Sequence, residues 1–229
     1  MLDTSTQYHV RFLQRLPLGL DYVSQMVHLR DLMTRPPLSL HTPLVLDASG
    51  VGLAVAQIAD RMGLSPRKVT IVAGDGISGD DGLHFRVAKG LLISKLTSLL
   101  HTRQLKIAAE LPDAPVLMQE LQDFRAKYTA SGNLTYNARE GKHDDLVLSV
   151  ALGVLLATGS FTSHAGLLEY ADQQTGNNAN SFYVAADLGC QGDFTAICVI
   201  ERVRVAEPAP ERQPLPQGCI ITDLSSILL

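Results

Sequence analysis

The stretch FYVAADLGCQGDFTAICVIERV (182–203) decides the fold. It opens with an apolar run that ends in Asp187 and closes with a longer apolar run. The glycines of LGCQG (188–192) permit a tight turn between them, so the two runs read as an antiparallel strand pair. Two readings of its acidic residues stand side by side. Asp187 and Asp193 are polar residues of an ordinary hairpin turn, or Asp187 is a strand-end carboxylate facing a shared metal cluster, with Asp193 as a further ligand.

Upstream of this pair the chain alternates strands and helices. QYHVRFLQRL (7–16) alternates apolar and polar side chains as a strand does, and apolar residues at helical spacing follow over 20–34 until Pro36-Pro37. PLVLDA (43–48) is a continuous apolar run, as expected of a strand buried on both faces. A helix through about Met62 follows SGVG (49–52), with Gly63 at its C-terminus. KVTIVAG (68–74) is a further strand, GDGISGDDG (74–82) a solvated loop, and 88–101 a helix. A strand QLKIA (104–108), a helix over 114–129 and a strand near 134–136 come next, then the apolar helix after His143. This order implies an α/β sheet flanked by helices. The expected organisation is a main part over 1–157 and a polar linker over 158–181. A strand pair over 182–205 completes the same sheet, and a proline-rich tail with an apolar end covers 206–229.

Composition narrows the function. With 229 residues, 46% hydrophobic and 18% charged, the chain has ample material for a core. A net charge of −4 argues against coating nucleic acid by bulk charge, but carboxylates that bind divalent ions count as negative until the metal arrives. Cys190, Cys198 and Cys219 lack metal-ligand spacing and cannot all pair, which implies a reducing compartment. No signal-peptide pattern opens the chain and no apolar stretch is long enough to span a membrane.

Besides Asp187, two carboxylate positions stand out. Asp47 ends an apolar strand. Burial of an unpartnered carboxylate costs on the order of several kcal/mol, so Asp47 emerges at the strand's C-terminal edge, the usual position of α/β active sites. Asp144 and Asp145 open the apolar helix. Capping and the helix dipole alone account for acidic residues there, whereas a buried helix whose N-terminus faces a cleft offers them as ligands. His143 is either incidental to the helix start or a further ligand. Oxygen-rich sites of this kind favour Mg²⁺ or Mn²⁺.

Together, QYHVRFLQRLPLGLDY, LVLDASGVGLAVAQIADRMGL, HFRVAKGLLISKLTSLL, LKIAAELPDAPVLMQELQDF, NLTYNAREGKHDDLVLSVALGVLLA and FYVAADLGCQGDFTAICVIERV resemble the C-terminal nuclease domain of phage terminase large subunits. The resemblance runs over about four-fifths of the chain. It implies a ribonuclease H-like mixed sheet and a two-metal endonuclease acting on double-stranded DNA. It further implies Asp187, Asp47, Asp144 and Asp145 as catalytic metal ligands, with Asp193 as an additional acidic position. Lys89, Arg139 and Lys142 adjoin these signatures and are the expected DNA contacts. A separate packaging ATPase or portal components are the implied partners, and the cytoplasm of a bacterial host the implied location.

The chain departs from the family pattern twice. It contains no Walker A lysine motif, so this chain alone is no packaging motor. The order of parts is also rotated: the family pattern places the 182–203 segment before QYHVRFLQRL. The expectation is a circularly permuted domain whose first two strands come from the C-terminal end, in cis or by strand exchange in a swapped dimer. The alternative function is a non-catalytic remnant or assembly module of a packaging complex.

Overall fold

In the computed structural model the described residues are 4–49, 52–74, 76–79, 83–128, 134–138, 143–161, 181–189, 193–206 and 219–220. The strands are β1 (Thr4–Arg15), β2 (Leu44–Asp47), β3 (Arg67–Val72), β4 (Ile77–Gly79), β5 (His84–Ala88), β6 (Leu105–Ala108), β7 (Phe124–Tyr128), β8 (Leu134–Ala138), β9 (Ser181–Asp187), β10 (Ala196–Ala206) and β11 (Cys219–Ile220). The helices are α1 (Tyr22–Met33), α2 (Gly52–Arg61), α3 (Lys89–His101), α4 (Ala114–Asp123) and α5 (Asp145–Ala157).

Nine strands form one mixed sheet in the order β11-β6-β1-β10-β9-β2-β3-β5-β4. The late pair β9 and β10 therefore occupies the centre. β10 runs antiparallel to β1 from Ala196 to Ala206, with a register shift between Val10 and Phe12. β9 runs antiparallel to β10 and parallel to β2. Both strands of this central pair come from the C-terminal part of the chain and pair with strands from its N-terminal part, β1 and β2.

Burial explains why this pair is central. Side chains alternate across a strand, and both faces of β9 are apolar. Tyr183 and Ala185 enter one core together with Val45, Cys198 and Ile200. Val184 and Ala186 enter a second core with Leu44, Leu46, Ile197 and Val199, beneath Met26, Leu29 and Met33 of α1 and Val55 and Ala59 of α2. A strand apolar on both faces is stable only between two layers.

The first core is covered by α5, buried along its whole length. A helix apolar all round cannot lie on a surface. It also lies unusually close to the sheet, because a Cβ added to Gly153 would stand 2.9 Å from Ile200 Cδ1 and 3.0 Å from Cys198 Sγ. Cys198 is itself buried and its thiol donates to the Ser149 carbonyl at 3.1 Å.

Several boundaries differ from the sequence expectation. The helix expected over 114–129 ends at Asp123, and β7 pairs antiparallel with β8 in a separate two-stranded sheet. Within 74–88 the chain forms the antiparallel β4–β5 pair, of which the sequence reading had only a loop. The tail, read as proline-rich with an apolar end, contributes β11, which pairs antiparallel with β6.

Candidate metal centre

Strand register alone aligns two of the carboxylates. Parallel pairing runs Leu44 with Val184, Val45 with Ala185 and Leu46 with Ala186, so Asp47 and Asp187 are the next step at the C-terminal ends of neighbouring strands. By alternation both fall on the face of Val45 and Ala185, the side covered by α5. Each is only 8% exposed.

The local structure holds Asp47 in place. Its Oδ1 accepts from the Ser49 backbone N–H at 2.7 Å and from Ser49 Oγ at 2.5 Å. Ser49 Oγ in turn accepts from the Ile71 N–H of β3 at 2.7 Å. This is an Asx-type turn, tied to the adjacent strand. Asp187 is followed by a turn without space for a side chain, since a Cβ at Gly189 would lie 2.2 Å from the Phe194 carbonyl oxygen. A buried polar network secures that turn. The Gln25 side-chain amide donates to the carbonyls of Leu20 and Gly189, and Thr195 Oγ donates to Gln25 Oε1 at 2.9 Å while accepting from the Gly189 N–H at 3.0 Å.

The third part of the site is the N-terminus of α5. Asp144 is its N-cap residue, but its side chain makes no capping hydrogen bond. The carboxylate instead accepts from Lys89 Nζ at 2.8 Å. Capping falls to Glu120 of α4, whose buried Oε2 accepts from the Val147 N–H at 3.0 Å. The other oxygen of Glu120 pairs with the Arg15 guanidinium. The same Arg15 nitrogen lies 3.5 Å from Asp145 Oδ2, and the guanidinium stacks over the Phe194 ring at 4.5 Å. Acidic residues at this helix start are therefore not explained by capping. Glu120 does that work, which leaves Asp144 and Asp145 facing the sheet.

Electrostatics confirms that the groups are mutual neighbours. Asp187 is held well above the ordinary carboxyl range by burial, then by the charges of Asp47, Asp145 and Asp144. Burial also raises Asp47, opposed by its Ser49 hydrogen bonds, by Asp187 and by Lys89. Asp145, 3% exposed, is pushed up to about 7 by burial and then by Asp193, with Arg15 opposing. Asp47 and Asp187 thus stand at neighbouring strand ends, with Asp144 and Asp145 near enough to raise Asp187 and Asp193 near enough to raise Asp145.

Asp193 itself is exposed. One ligand atom each from His143, Asp145 and Asp193 lie within 4.8 Å of one another. The Lys89 ammonium pairs with Asp144 instead. Arg139 and Lys142 lie outside the described residues, as do Asp75, Asp80 and Asp81. Sequence reasoning missed Arg15, Glu120, Ser49 and the Gln25–Thr195 network. The spacing Asp47-x-Ser49 signals an Asx turn, whereas nothing local in β1 or α4 marks Arg15 or Glu120.

This donor set fits a divalent cation. Converging carboxylates are the chemistry of Mg²⁺ and Mn²⁺ sites. Asp145 Oδ2, buried, accepts no hydrogen bond, so it keeps lone pairs for a cation. Asp47, Asp187 and Asp145 hold their protons more tightly than ordinary carboxyls, chiefly because they are buried.

Among the described residues no helix is long and apolar enough to cross a membrane. No family model matches the chain. The chain is 31% identical over 112 residues to the terminase large subunit of Thermus phage G20c and equally to that of Thermus virus P23-45. The match takes in 49% of this chain and 20% of each relative, so the chain spans about one fifth of their length. Crystal structures of the large terminase nuclease from thermophilic phage G20c, with bound cobalt and with bound magnesium, are 29% identical to it. They overlap 59% of this chain and 62% of their own at a TM-score of 0.45. By sequence, terminase large subunits of Thermus phages are therefore relatives of this chain over about half of its length.

Proposed function

We propose that the chain is a metal-dependent endonuclease of the terminase type, hydrolysing phosphodiester bonds of double-stranded DNA. The observation that carries this reading is the convergence of Asp47 and Asp187, at the ends of adjacent parallel strands, on Asp144 and Asp145 at the N-terminus of α5. These four are the catalytic metal ligands of the proposal, with Asp193 as a fifth ligand, and the cofactor is a pair of Mg²⁺ or Mn²⁺ ions. When bound about 4 Å apart, such ions activate water and stabilise the leaving oxygen in phosphodiester cleavage.

The protein's part is positioning and charge. Ser49 fixes the orientation of Asp47, and the Gln25–Thr195 network fixes the turn that carries Asp193. Arg15 and Glu120 hold the start of α5 against the sheet. Lys89, now paired with Asp144, lies within reach of a phosphate drawn to the same cluster, and Arg139 and Lys142 are the further DNA contacts of this reading. The partners of this reading are duplex DNA and a packaging ATPase or portal components, and its location is the cytoplasm of a bacterial host. The central position of β9 and β10 supports reading the domain as circularly permuted, with the site completed in cis rather than in a strand-swapped dimer.

Plasmid cleavage tests the proposal. The native chain with Mn²⁺ is expected to nick or linearise supercoiled DNA, and Asp47→Ala and Asp187→Ala to lose that activity. Equal activity of the three proteins, or none in the native chain, returns the chain to the class of non-catalytic assembly modules.

A further inference from the structure

We propose that Leu18 is a DNA-positioning residue, an apolar wedge that enters a base step of the duplex close to the scissile phosphate. This inference rests on the nuclease reading above. Leu18 and Gly19 form the turn between β1 and α1. Gly19 takes φ +79°, a conformation that favours glycine, and Leu18 at this turn is 49% exposed. Both ends of the loop are tied to the turn that carries Asp193. The Leu16 N–H donates to the Thr195 carbonyl at 2.8 Å. Gln25 Nε2 donates to the Leu20 carbonyl at 2.7 Å and reaches the Gly189 carbonyl at 3.3 Å. Arg15, three residues before Leu18, lies 3.5 Å from Asp145 Oδ2. Three residues of chain span at most about 11 Å, which is about three base steps of a duplex.

A single exposed leucine is ordinary on a protein surface. Two observations set this one apart. Its loop is held at both ends by the buried Gln25–Thr195 network, so the side chain is presented on a fixed support next to the carboxylates. The charges nearby are also engaged. Arg15 is paired with Glu120 and Lys89 with Asp144, and Asp21 accepts from the Ser24 N–H at 3.0 Å and from Ser24 Oγ at 2.7 Å. The tip, Pro17-Leu18-Gly19, carries no charge. A duplex held over a centre built of carboxylates needs contacts that do not depend on cations. An apolar side chain inserted between base pairs from the minor groove is such a contact, and leucine is among the residues that make it.

Duplex oligonucleotides carrying 2-aminopurine at successive base steps test this, together with nicking kinetics of the full chain in Mn²⁺ on the same duplexes. The native chain is expected to raise the emission at one step before turnover, where the stack opens, and Leu18→Ser to remove that rise. Leu18→Ser is also expected to raise KM for nicking about tenfold with kcat little changed. Leu18→Met, apolar and of similar size, is expected to restore both readouts. Nicking by the native chain without a rise in emission overturns the wedge and leaves the nuclease reading standing. So does a Leu18→Ser variant that opens the stack and nicks as the native chain does. A native chain that does not nick in Mn²⁺ overturns the nuclease reading and this inference with it. Leu18 is exposed and outside both cores, so circular dichroism of the variants is expected to match the native chain.

Discussion

Asp47 and Asp187 stand one step beyond the Leu46–Ala186 pair, at the ends of two parallel strands that are far apart in sequence and adjacent in space. Neither carboxyl has water enough to ionise freely, and the pair is placed where a cation satisfies both at once. The account predicts that this arrangement costs stability and is kept for chemistry.

The sign of the pH dependence follows. Asp187, Asp47 and Asp145 all bind protons more tightly when folded than the usual carboxyl value of about 4. Their contribution is fully present below that value and is lost as pH rises through the folded values, about 7 for Asp145. The metal-free protein is thus expected to lose stability between about pH 4 and pH 8. Added Mn²⁺ is expected to raise the melting temperature more at the alkaline end, because ligands must be deprotonated to bind. Thermal melts across this range, with and without metal, measure it.

Asp187→Asn and Asp47→Asn remove a buried, repelling carboxyl at nearly constant shape. Each is expected to stabilise the metal-free protein at neutral pH by on the order of 1–2 kcal/mol while abolishing metal binding. Urea denaturation at constant m-value reads the first effect. A destabilised variant would count against the repulsion argument.

Glu120 bridges Arg15 to the N-terminus of α5. Glu120→Ala removes the tighter ion-pair partner of Arg15, leaving it Asp145 at 3.5 Å, strips the Val147 N–H of its acceptor, and is expected to cost about 3–5 kcal/mol. A double-mutant cycle with Arg15→Met should recover part of that cost, since both members of the pair are then absent.

Close packing of α5 is tested at Gly153. A methyl group there meets Ile200 Cδ1 at 2.9 Å, the end of a side chain that can shift. Gly153→Ala is expected to cost about 1–2 kcal/mol, and Gly153→Val more. Pairing Gly153→Ala with Ile200→Val should relieve the clash, which chemical denaturation can follow.

The sequence showed the candidate carboxylates more clearly than the residues that support them. Asp47 and Asp187 end apolar runs, and a strand that is apolar on both faces can only be central, so their emergence at one sheet end was legible. The buried character of α5 was legible too, from an apolar surface on every side. Glu120 and Arg15 were not. Their roles arise from α4 and β1 meeting at the start of α5, a tertiary relationship with no local signature. The β4–β5 pair was missed because a three-residue edge strand in a Gly/Asp-rich stretch has too few alternations to read. The end of α4 at Asp123 was missed because Phe124–Tyr128 continues the helix's composition, and only pairing with β8 makes it a strand.

The most direct test of the central claim is anomalous diffraction from crystals of the chain soaked in Mn²⁺. The account predicts anomalous density between Asp47, Asp187 and the Asp144–Asp145 pair, lost in Asp187→Asn. Crystals in which Mn²⁺ leaves no anomalous density among these carboxylates would contradict it.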